Sequence, residues 1–97
     1  MATVIYSARS LAHIERELQS VRDESPEAAL DAFIAIRSAV EALAAHPLLG
    51  RRVHGELREL IISCGRTGYV ALYRFLVRRD ELRMLSLRHQ REVGYVP

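Results

Sequence analysis

The chain contains no lysine: all 14 of its basic residues are arginine. A guanidinium stays charged at any workable pH, so this set offers forked donors for phosphate or carboxylate but a poor general base. Biased codon usage accounts for the arginines equally well. The single cysteine, Cys64, excludes an internal disulfide. The four histidines show no metal-ligand spacing, so neither a metal nor another cofactor is expected. No stretch approaches the roughly 18 apolar residues of a membrane span. The opening MATVIYSARS lacks a basic region followed by an apolar one, so no signal peptide is expected. With no repeat, low-complexity tract or linker, 97 residues suit a single domain over 1–97. A cytoplasmic protein with no membrane contact is the expectation.

What is present is unevenly charged. Residues 1–50 hold four arginines against seven acids, and from Arg51 onward ten arginines face five acids. The asymmetry points to an anionic partner for the C-terminal half.

Periodicity divides the chain simply. Thr3–Tyr6 is a β-branched and aromatic run that reads as a first strand. Ser7 can cap a helix over about Ala8–Arg22, whose stripe is Leu11, Ile14, Leu18 and Val21. Ser25-Pro26-Glu27 starts a second helix, with serine at the cap, proline in the first position and an acid at the positive end of the dipole. Its stripe is Ala29, Phe33, Ile36, Val40 and Leu43, and it ends before His46-Pro47. Pro47–Gly55 reads as a loop, Glu56–Ser63 as a strand and Cys64–Gly68 as a turn. Tyr69–Val77 and Leu82–Leu87 read as a hairpin around Arg78–Glu81. The predicted architecture is α+β: an N-terminal strand, a helical hairpin and a three-stranded antiparallel meander, with both helices on one face.

Alternation along Tyr69–Val77 puts Ala71, Tyr73 and Phe75 under the helices, and Val70, Leu72 and Arg74 on the open face. Arg74 belongs there because a buried, unpaired guanidinium is costly. His89 is expected on the same uncovered side. The plainer readings are a cross-strand pair for Arg58 and Glu59, a polar turn at Arg78–Glu81, and a surface position for His13, which lies off the apolar stripe.

Val4–Ser7 (VIYS), Pro47-Leu48-Leu49-Gly50-Arg51, Leu57-Arg58-Glu59-Leu60, Leu72-Tyr73-Arg74 and Arg88-His89-x-Arg91-Glu92-x-Gly94-Tyr95 occur in this order. Together they resemble the RelE/ParE superfamily of toxins from type II toxin–antitoxin modules, over nearly the whole chain. The resemblance implies a cytosolic toxin neutralised by an antitoxin, which alone touches operator DNA. For a ParE-like member it implies inhibition of DNA gyrase by binding. For a RelE-like member it implies metal-free cleavage of mRNA on the ribosome, with His89 and Tyr95 as catalytic groups. Arg58, Arg74, Arg88 and Arg91 are the candidate target- or phosphate-binding residues. Val70, Leu72 and Arg74 are the candidate antitoxin-binding residues. Val70 stands where RelE-like nucleases commonly carry a catalytic arginine, and their paired lysines are missing. These departures favour the ParE-like reading, a binding protein rather than an enzyme.

Overall fold

The computed structural model of the chain describes residues 1–65 and 67–91. Strand β1 (Thr3–Tyr6) leads into helices α1 (Ala8–Glu24) and α2 (Pro26–Ala45), followed by strands β2 (Arg51–His54), β3 (Leu57–Cys64), β4 (Thr67–Leu76) and β5 (Glu81–His89). The sheet has five strands in the order β1-β5-β4-β3-β2. The antiparallel meander β3-β4-β5 is as predicted, and β1 pairs with β5 in parallel.

Both helix starts follow from their caps. The Ser7 hydroxyl accepts from Ser10 N–H at 3.0 Å, and the Ser25 hydroxyl accepts from Ala28 N–H at 3.2 Å. Ser25 also ends α1, its backbone N–H donating to Val21 O at 2.8 Å. One residue therefore closes one helix and opens the next.

The core lies between α2 and one face of the sheet. Ala32, Ile36, Val40 and Leu43 pack against Ile62, Tyr69, Ala71, Tyr73, Leu82, Met84 and Leu87. Phe75 joins at the margin. The predicted inward set on β4 is thus the observed one. At roughly 1.5–3 kcal/mol for each large apolar side chain, this layer supplies most of the favourable burial.

Three expectations are corrected. The segment Pro47–Gly55 is not all loop: Arg51–His54 forms edge strand β2, whose four residues are all exposed. It shows no apolar alternation because neither face is covered. Its pairing with β3, across the turn at Gly55 (φ +55°), creates it. His13 is not at the surface; it is 3% exposed. The buried face of α1 is Ser10, His13 and Glu17, whereas Leu11 is 48% exposed. Cys64 ends β3 rather than lying in a turn, and pairs with Thr67.

The reason for the polar face is visible at β5. Strand β1 stops at the level of Met84, leaving the next backbone groups of β5 without a strand partner on that side. The start of α1 fills the gap: Ser7 Oγ donates to Leu85 O at 3.1 Å, and Leu87 N–H donates to His13 Nδ1 at 3.3 Å. Side chains thus continue the ladder that β1 leaves unfinished.

Candidate functional site

The open face of the sheet is assembled from β3, β4 and β5. Arg74 lies across from Leu57 and Arg83, Leu72 across from Glu59 and Ser86, and Val70 across from Ile61 and Arg88. Arg74 is therefore uncovered by the helices, as expected. It forms an ion pair with Glu56 at 3.0 Å, while Arg83 binds Glu81 at 3.0 Å. These arginines, with Arg78 and Arg79, line a concavity of about 560 Å³ at the hairpin end. Leu72 is half-buried and offers apolar area, but Val70 is only 4% exposed and offers little.

A bulge decides where His89 points. Leu72 pairs with Ser86 and Tyr73 with Met84, so Leu85 is an extra residue on β5. An extra residue reverses the facing of every side chain beyond it. Leu87 consequently turns into the core and Arg88 turns to the open face. His89 pairs with Tyr69 and lies on the helix side. The expectation that Arg74 and His89 share the uncovered side is corrected accordingly. Their strand positions, Arg74 and Tyr69, are an odd number of residues apart on β4, hence on opposite faces.

His89 is held by its own set of contacts. Its Nδ1 accepts Arg91 N–H at 3.1 Å, which leaves Nε2 as the protonated nitrogen, bonded to Thr67 Oγ1. The ring meets Tyr69 edge-on, with centroids 5.9 Å apart. Burial raises the Tyr69 phenol pKa above its ordinary value, and Glu17 and Cys64 raise it further. Both imidazole nitrogens are thus engaged, and neither serves as a vacant base in this arrangement.

The remaining arginines do not converge. Arg58 lies on the helix side beside Tyr73, and its guanidinium donates to Gly50 O at 2.8 Å and Leu48 O at 3.3 Å. The Tyr73 hydroxyl holds the same loop, accepting from Gly50 N–H and donating to Pro47 O, both at 2.8 Å. Burial raises the Tyr73 pKa, with the Gly50 bond and Arg58 opposing. A Cβ on Gly50 would come within 2.7 Å of this hydroxyl, so the close approach needs glycine. The Pro47–Arg51 motif is therefore a latched loop, and Arg58 is part of the latch. Its predicted partner Glu59 points to the other face and pairs with Arg51 at 3.1 Å. Arg88 shares the face of Arg74, but Val70 and Arg74 are four residues apart on β4, roughly 13 Å at strand spacing. Arg91 is exposed beyond the end of β5. Tyr95 lies outside the described residues. Among the described residues no group of three or more metal-ligating side chains is found.

Sequence reasoning missed His13, Glu17, Thr67, Leu85 and Ser86. Ser10, His13 and Glu17 do recur at helical spacing, a signal obscured by the apolar stripe beside them.

A helical hairpin laid over one side of a small sheet, with an arginine-bearing open face, defines a small α+β class of protein. Comparison with known proteins agrees. Residues 4–94 match the family described as ParE toxin of type II toxin–antitoxin systems. Toxin RelE3 of Caulobacter vibrioides is 40% identical over 81 residues, covering 79% of this chain and 86% of that protein. The toxin–antitoxin complex ParDE from P. aeruginosa contains a chain of the same fold, with a TM-score of 0.69 at 22% identity, covering 92% of this chain and 96% of that one. A chain of the E. coli RelBE complex superposes with a TM-score of 0.65 at 10% identity, covering 95% of this chain and all of that one. The chain belongs to the ParE toxin family, within the RelE/ParE superfamily. No helix of the described residues is long and apolar enough to cross a membrane.

Proposed function

We propose that the chain, as one toxin domain in the cytoplasm, inhibits DNA gyrase by binding it. A cognate antitoxin neutralises it by laying an acidic, partly apolar segment on the open face, meeting Arg74 and Leu72. The observation that supports binding over cleavage is the scattering of the groups RNA cleavage needs. Metal-free cleavage of RNA asks for a base for the attacking 2′-hydroxyl, an acid for the leaving oxygen and charge stabilisation, all converging on one phosphate. Here His89 lies on the helix side with both nitrogens occupied, and Arg58 latches a loop. Arg74 is ion-paired at a distance from Arg88, and Val70 carries no charge.

Purified components test the reading. The expected result is inhibition of gyrase supercoiling with no cleavage of ribosome-bound mRNA, and His89→Ala leaves the inhibition intact. Cleavage abolished by His89→Ala, without gyrase inhibition, would establish the RelE-like endonuclease instead. Neither activity, with harmless expression, would leave a degenerate toxin serving as a regulatory binding module.

A further inference from the structure

The β5 bulge has a second effect. In such a bulge two consecutive residues oppose one on the neighbouring strand, re-aiming the side chains between them. Leu85 and Ser86 both stand against Leu72, at a level where β5 has run past the end of β1. With Leu57 they form a depression of about 400 Å³ on the open face, bordered by Ser7 and Arg9 from the start of α1. Its walls are leucine. Ser7 is already committed, to Leu85 O and to Ser10 N–H. Ser86 is 3% exposed, and its hydroxyl meets no hydrogen-bond partner among the described residues. A buried hydroxyl left this way is destabilising, and alanine would fill the position without the penalty. Arg9, at the rim, is exposed.

We propose that this depression is an anchor site for one tyrosine side chain of the partner segment that covers the open face, which rests on the antitoxin reading above. The ring lies among Leu57, Leu72 and Leu85, the Arg9 guanidinium covers its face, and the phenol hydroxyl bonds to Ser86 Oγ. Rotation of Ser86 about χ1 turns its hydroxyl toward the incoming group. A phenol both donates and accepts, so it satisfies the serine whichever way the serine proton points. Aliphatic anchors leave that oxygen orphaned. A carboxylate would lose its hydration among three leucines with a single cation at the rim. Aromatic rings with a polar tip are also the favoured anchors of protein interfaces, and an arginine over the ring adds a cation–π contact.

The test uses the full chain with p-cresol as the probe and toluene as its control, followed through the methyl resonances of Leu57, Leu72 and Leu85. Saturable shifts at these methyls are expected, with p-cresol binding at least fivefold more tightly than toluene. Ser86→Ala should remove that preference while leaving toluene binding unchanged, and Arg9→Ala should weaken both probes. The proposal is overturned if the three methyls do not respond, if the two probes bind equally, or if the preference survives in Ser86→Ala. Displacement of p-cresol by acetate would overturn it in favour of a carboxylate site. No antitoxin or gyrase enters this experiment, so its failure is distinct from failure of the functional reading.

Discussion

Replacing Tyr73 with phenylalanine removes one oxygen and, with it, two of the hydrogen bonds that hold the Pro47–Gly50 loop to the core, while those from Arg58 remain. The ring itself stays, since Tyr73 is fully buried and phenylalanine fills nearly the same volume. What changes is the satisfaction of two backbone groups. Gly50 N–H loses its acceptor in a buried setting, a penalty of about 1–3 kcal/mol. Pro47 O loses a donor at a part-buried position, adding about 0.5–1.5 kcal/mol. A total near 3 kcal/mol is a large share of the roughly 5–15 kcal/mol that holds a domain together. In a chain of this size it lowers Tm by about 12–24 °C. In urea, at about 1–2 kcal/mol per molar, it moves the midpoint down by roughly 1.5–3 M with the slope unchanged. Equilibrium urea unfolding of Tyr73→Phe beside the parent chain measures this directly, and amide exchange at Gly50 reports the loop. If the midpoint shifts by less than about 0.3 M while Gly50 stays protected, the latch is not a stabilising element and the reasoning fails.

Alkaline pH gives a related expectation. Burial raises the pKa of Tyr69 and of Tyr73, so their stabilising contribution is complete below the unfolded value near 10 and is lost as pH climbs through the folded values. With no lysine in the chain, stability followed from pH 9 to 12 by denaturant melts reports largely on tyrosines, and Tyr69→Phe should flatten the decline. An unchanged slope in that variant would contradict the assignment. His13→Ala strips Leu87 N–H of its acceptor and opens space beneath α1; a loss of about 2–4 kcal/mol is expected, with faster amide exchange at Leu87. Equal exchange rates in the two proteins would show that α1 does not complete the ladder. Ser86→Ala should instead stabilise the free chain by about 1 kcal/mol, because it deletes an orphaned hydroxyl; a destabilisation in thermal melts would reveal a partner for that oxygen.

The elements easiest to read from the chain were those whose determinants are local. Ser7 and Ser25 announce their helices through chemistry confined to three residues, and the alternation on β4 follows from a strand covered on one side. The faces that were misread depend on distant partners. Arg51–His54 is a strand only because β3 offers a ladder, and His13 is buried only because β1 ends too early to pair with the rest of β5. The position of His89 turns on one supernumerary residue, Leu85, in a run whose composition gives no hint of it. A site spread across several strands inherits every such register shift. Alternation from the sequence puts Arg74, upstream of the bulge, on the face where the structure has it, and His89, downstream of it, on the face opposite the observed one.

Ser25 leaves the two helices no spare chain between them. The hairpin turns on this single residue, so no loop lies between α1 and α2 to absorb a change in length. Length changes at this joint would spread through both helices at once, since each added residue advances a helix by about 100° of rotation. Relatives of this chain should therefore differ at the joint by substitution, with gaps and insertions displaced to the sheet's outer turns.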